Sequence, residues 1–226
     1  MEGDYNMNIF IKTTIVTTAI FAIGIIVGLW LGQEKVSVFE SELTSLRGSI
    51  ENTELQFLFL DVLGSNVSCT YLLKQANDLS AESENLAKQI ESYETSDKID
   101  ESSFKQLKSS YTTLLIKDWL TLEKIKKTCN ATYETVLYFY SNNNCSRCSE
   151  QAVVLSYLKQ KLGENIMTFA IDGNIELNVI SALREAYSID VFPTLIINGG
   201  VHKGYVNLSQ TKEILCDYNK NLTICN

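Results

Sequence analysis

Cys145-Ser146-Arg147-Cys148 follows the apolar run TVLYFY at 135–140, and further on the chain reads Val191-Phe192-Pro193-Thr194, which holds its only proline. Two cysteines separated by two residues can cycle between dithiol and disulfide, with the thiolate as the reactive form. A lone proline just before the apolar run TLII at 194–197 marks a deliberately fixed backbone and a candidate cis peptide bond. Together these stretches point to thiol–disulfide chemistry.

Outward from them the hydrophobic period predicts a strand at 135–140, a helix at 149–162, a strand at 166–171 and a helix at 176–187. The strand at 194–197 then leads through a Gly199-Gly200 turn into a hairpin partner at 201–206 and a last helix at 209–218. The order is βαβαββα: a parallel crossover unit followed by a hairpin with a covering helix.

With the dithiol between the first strand and its helix, residues 133–217 resemble the thioredoxin-like family. The resemblance is carried by Cys145-Ser146-Arg147-Cys148 and by YSIDVFPTLIING at 187–199, which is similar to the family's cis-proline loop entering a strand. Gly204 stands where the family has a glycine in the last strand. The resemblance implies an α/β thioredoxin-like domain acting on cysteine-containing protein substrates without a cofactor. Departures exist as well: Asn144 replaces the usual Trp, Ser146-Arg147 replaces Gly-Pro, and Phe139 stands where thioredoxins place a buried Asp. The missing carboxylate counts against a cytoplasmic-style reductase and leaves oxidase, isomerase or specialised reductase open.

Cys145 is the expected nucleophile, because a helix N-terminus stabilises a thiolate and Arg147 adds positive charge. Cys148 is the expected resolving residue, and Arg147 the modulating one. Phe192, Pro193 and Thr194 are expected to bind substrate, Pro193 holding the Phe192 backbone open to an extended segment. A zinc site would need two more soft or imidazole ligands, but the chain has one histidine, His202, and no second CxxC, so no metal is expected. A stable structural disulfide at Cys145–Cys148 stays open as the alternative.

Upstream, three amphipathic stretches are predicted as helices: Val36 to Leu63, then Leu72 to Tyr93, then Phe104 to Ile125. Only Thr53 breaks the apolar run of the first, and the turns fall at Gly64-Ser65-Asn66 and Thr95-Ser96-Asp97. Short turns imply an antiparallel hairpin or three-helix bundle. Cys69 opens the second helix and Cys129 follows the third, so antiparallel packing would bring them together as a disulfide. A second bridge, Cys216–Cys225, would pin the C-terminal tail; free thiols are the alternative for both pairs.

Thr13 to Leu31 carries no charge and ends near Trp30, which predicts an uncleaved single-pass transmembrane signal-anchor rather than a removed signal peptide. Three domains are expected: an anchor at 1–32, a helical domain at 33–130 and a thioredoxin-like domain at 131–226, the last two on the extracytoplasmic side. Sequons at Asn66, Asn130, Asn144, Asn207 and Asn221 are weak support for export. A membrane redox partner would reset the dithiol. The net charge of −8 in 226 residues, with a pI near 4.8, argues against nucleic acid as a partner. Two functions follow: a membrane-anchored thiol–disulfide oxidoreductase, or a redox-silent thioredoxin-fold binding or scaffold module.

Overall fold

The computed structural model describes residues 3–63, 68–94, 101–143 and 145–225. Its elements are α1 (Gly3–Leu63), α2 (Cys69–Glu94), α3 (Glu101–Cys129), β1 (Glu134–Tyr140), α4 (Cys148–Leu162), a 3-10 turn (Gly163–Asn165), β2 (Ile166–Asp172), α5 (Asn178–Ala186), β3 (Thr194–Ile197), β4 (Gly200–Lys203) and α6 (Leu208–Tyr218). The turns expected at Gly64-Ser65-Asn66 and Thr95-Ser96-Asp97, and the sequons at Asn66 and Asn144, lie outside the described residues.

The transmembrane anchor is corrected. Helix α1 runs unbroken past the apolar stretch, and among the described residues no helix is long and apolar enough to cross a membrane. Thr17 and Thr18 lie within the apolar stretch and turn their hydroxyls onto the carbonyls of Thr13 and Thr14 at 2.8 Å. The side chains of 27–31, Trp30 included, lie outside the described residues. The single-pass membrane localisation rested on that anchor and falls with it.

Helix α3 is the shared member of the helical half. Glu54 and Asp61 of α1 pair with Lys117 and Lys124 of α3, a ladder with seven-residue steps on both helices that makes them parallel. Helix α2 runs antiparallel, so that Cys69 at its start meets Cys129 at the end of α3 in a disulfide with Cα atoms 5.5 Å apart. Leu46, Thr53 and Leu60 recur every seven residues on the buried seam of α1. Leu46 packs with Ile90, Leu107 and Leu114, and Leu60 joins Leu72, Ala76 and Trp119.

Thr53, the break in the sequence pattern, lies in a polar node at the centre of the bundle. Its hydroxyl donates to Asp118 Oδ1 at 3.1 Å, and Ser83 of α2 donates to Oδ2. One polar side chain from each helix thus meets in the core, which fixes their axial register because any slip leaves a buried carboxyl unsatisfied. Burial raises the Asp118 pKa to about 7, the two hydroxyl donors opposing it and Glu82 adding to it.

The sheet order is β2-β1-β3-β4, with β1 parallel to β2 and antiparallel to β3. Asn198 and Gly199, both at positive φ, form the two-residue hairpin turn between β3 and β4, one residue earlier than expected. Side chains alternate between two cores. Val136, Tyr138, Leu195 and Ile197 face α4 and α6, whereas Leu137, Phe139, Phe169 and Ile196 face the other way. The second face is covered by Ile180 of α5 and by Leu115, Trp119 and Leu122 of α3, so the core runs across residue 130 without a break. This C-terminal unit follows the βαβαββα order expected from the sequence.

The native Asp118 carboxyl keeps its proton to about pH 7, whereas an unfolded one loses it near 3.8, so stability falls as pH rises between those values. Asp118→Asn removes that titration. The stability of the variant relative to wild type, from urea denaturation, should therefore shift in the variant's favour from about pH 4 to about pH 7 and level off above. A difference independent of pH would contradict the protonated assignment.

Candidate functional site

Helix α4 begins at Cys148, with Arg147 as its N-cap and no side chain closing its first turn. The sequence had placed its first residue at Ser149. Cys145 lies two residues before the cap, half-buried, while Cys148 is 6% exposed. The two form a disulfide with Cα atoms 5.5 Å apart. The unfilled N–H groups of the first turn lie at the positive end of the helix, beside the position where a thiolate would form on reduction.

Two side chains that the sequence reading passed over hold this helix end. The Tyr138 hydroxyl donates to the Cys148 carbonyl at 2.6 Å, tying α4 to β1. Burial pushes the Tyr138 pKa up to about 12, so it stays a donor at neutral pH. Gln151, fully buried one turn beyond, accepts from the Val206 N–H at 2.8 Å. That bond fixes the Tyr205–Val206 segment, and the Arg147 guanidinium stacks over the Tyr205 ring at 4.0 Å. Arg147 also pairs with Glu150 at 2.8 Å; both side chains are half exposed, so its charge is partly offset and screened.

The turn before Cys145 is ordered by a polar chain. Lys108 of α3 pairs with Asp172 at 2.8 Å, and Asp172 accepts from the Asn174 N–H. The Asn174 side chain donates to Ser141 Oγ at 2.6 Å, and Ser141 bonds both backbone groups of Asn143. Asn144 itself lies outside the described residues. Phe139, the residue in place of a carboxylate, is fully buried on the α3 side of the sheet.

Opposite this turn, the Phe192–Pro193 peptide is cis. Pro193 and Thr194 are buried and Phe192 half-buried. Thr194 Oγ1 donates to the Val191 carbonyl at 2.8 Å, and Gly204, at φ 80°, donates its N–H to the Pro193 carbonyl at 2.8 Å. The Phe192 ring lies under the Arg184 guanidinium, 5.5 Å from its centroid, and against Gly173. A groove of about 510 Å³ separates the two loops, bounded by Ser141, Asn143 and Asn174 on one side and Asp190, Val191 and Phe192 on the other.

The remaining cysteines stand apart from this groove in two further bridges, Cys69–Cys129 in the bundle and Cys216–Cys225 at the end of α6. The second bridge closes the tail, and Leu222 packs into the core beside α6. His202, on β4, has its pKa lowered by burial and an Nε2 without a partner among the described residues. Nor do the described residues contain a cluster of three metal-ligating side chains.

A family model described as "TraF: F plasmid transfer operon protein" matches residues 109–211. That span runs from the middle of α3 through both loops of the groove into α6. Among solved structures, one described as "Structure of a malarial protein" is 18% identical with a TM-score of 0.34, covering 38% of this chain and 98% of its own. The crystal structure of chloroplastic thioredoxin z is 18% identical with a TM-score of 0.36, covering 45% of this chain and 90% of that one. No curated protein matches.

Gly173 has no room for a side chain: a Cβ there would overlap ring atoms Cζ and Cε1 of Phe192. Gly173→Ala should therefore displace the ring and cost about 1–3 kcal/mol in denaturant unfolding. Phe192→Leu shortens the obstructing side chain. The double variant should recover part of the loss, with a coupling above roughly 0.5 kcal/mol; strict additivity would show that the two residues do not press on each other.

Proposed function

We propose that the protein is a thiol–disulfide oxidoreductase that acts on cysteines of protein substrates through Cys145 and Cys148. The observation that carries this reading is the unequal burial of the pair: Cys145 is half-buried and precedes an uncapped helix end, while Cys148 is buried at the start of that helix. The match of the family model across both loops of the groove supports the same reading.

In the oxidising direction a substrate thiolate attacks Cys145 Sγ. The Cys145–Cys148 bond breaks, Cys148 leaves as thiolate, and a mixed disulfide joins Cys145 to the substrate. A second substrate thiolate then attacks the substrate sulfur of that bond and releases Cys145. The substrate loses two electrons and two protons overall, and the CxxC gains them. The reducing direction is the reverse, started by the Cys145 thiolate and resolved by Cys148. Direction depends on the potential of the pair relative to its partner, and a separate redox partner must reset it.

Phe192 forms the wall against which an extended substrate segment would lie, with Pro193 and Thr194 buried behind it. Arg147 contributes to thiolate stability at Cys145 modestly, since Glu150 offsets its charge.

Reduced Cys148→Ala, mixed with a disulfide-bonded protein, should accumulate covalent adducts through Cys145 that non-reducing electrophoresis resolves. Cys145→Ala should give almost none, because its remaining sulfur is buried. Adducts of equal yield from both variants would reverse the roles. Absence of adducts from either, with the wild type equally inert, would leave the redox-silent binding module as the better reading.

A further inference from the structure

Strand β2 is an edge of the sheet, and its outer side forms the floor of a cleft between α2 and α4. The cleft has a volume of about 660 Å³, within the usual range for ligand sites of roughly 300–1,000 Å³. Small residues, Ser80 and Ala87 from α2 and Ala152 and Ser156 from α4, share its walls with the charged Glu84, Lys88 and Glu91 of α2.

The backbone on the floor is unpaired. Gly173 N–H donates to the Tyr140 carbonyl, so the alternation of a parallel pair turns Ile171, Phe169 and Met167 towards β1. Ile166, Thr168 and Ala170 therefore turn their N–H and C=O groups outward. The Ile166 carbonyl accepts from Lys159 Nζ at 3.0 Å, as that alternation requires. The outward groups of Thr168 and Ala170 bond to nothing among the described residues, and Thr168 Oγ1 is buried there without a partner. A row of such groups is satisfied in register by another extended backbone.

At the Ile166 end lies one ammonium without an ion pair. Lys159 bonds Ser80 Oγ at 3.4 Å and the Ile166 carbonyl, both neutral, and no carboxylate among the described residues pairs with it. Glu84 and Glu164 act on it only at a distance, and burial lowers its pKa. A carboxylate delivered here would gain a charge-assisted bond in a half-buried site.

We infer that this cleft binds an extended peptide of a partner protein as a fifth strand on β2, with a carboxylate of that peptide meeting Lys159. From Lys159 to the far side of Ala170 the strand spans four to five residues at about 3.3 Å each, so a short segment suffices. The cleft does not include Cys145 or the groove beside Pro193, so the inference stands whether or not the cysteine pair is redox-active.

The probe is a heptapeptide with a free C-terminus, selected from a displayed library on the immobilised oxidised protein and then synthesised. Hydrogen exchange should show new protection at the Thr168 and Ala170 amides. Methylating alternate backbone nitrogens of the peptide should weaken binding about tenfold or more, since each lost hydrogen bond is worth about 1 kcal/mol. Lys159→Gln should weaken the free acid several-fold and leave the C-terminal amide unchanged, with Lys159→Arg restoring most of the difference. Ala170→Pro removes an outward N–H without touching a β1 bond and should also reduce binding. Failure to select any peptide that protects these amides, protection confined to Val191–Thr194, or indifference to N-methylation would overturn the inference.

Discussion

A four-stranded sheet has two apolar faces to bury, and this requirement makes the helical half part of the same structure as the CxxC unit. Helices α4 and α6 cover one face, but on the other α5 has only nine residues and a single fully buried side chain, Ile180. The rest of that face, around Leu137, Phe139 and Phe169, is closed by Trp119, Leu115 and Leu122 from α3. Because α3 also carries the node at Asp118, the ladder to α1 and the disulfide to α2, whatever fixes α3 on the sheet fixes the whole bundle.

The site inherits its order from that arrangement. Lys108 reaches from α3 to Asp172 at the end of β2, and from there hydrogen bonds run through Asn174 and Ser141 to the turn before Cys145. Tyr138 ties the carbonyl of Cys148 to the central strand, and Gln151 holds the segment on which Arg147 stacks. Cys145 alone of the pair is left half open. Exposure of one sulfur and shelter for the other follow from where α4 begins.

Much of this was legible in the sequence. The apolar runs at 135–140 and 166–171 were strands because their residues are β-branched and aromatic, and Val191-Phe192-Pro193-Thr194 announced its loop by the lone proline. The bundle followed from three- and four-residue spacing, although Thr53 read as a break when it is a hydrogen-bond donor to a carboxyl 65 residues away. Such a partner has no local signal. Tyr138, Gln151 and Ser141 were missed for the same reason: each looks like an ordinary strand, helix or turn residue until tertiary packing places it. The anchor expected over Thr13 to Leu31 was drawn from the length of an uncharged run, and it gave way because no helix among the described residues is long and apolar enough to cross a membrane.

The most direct test is equilibration of the native protein with glutathione buffers of graded potential, followed by alkylation and peptide mapping of all six cysteines. Cys145 and Cys148 should titrate together as one two-electron couple, while Cys69–Cys129 and Cys216–Cys225 stay intact across the same buffers. If the Cys145–Cys148 bond instead persists until the protein unfolds, or opens only together with the other two, the pair is a structural staple and the account of the site is wrong.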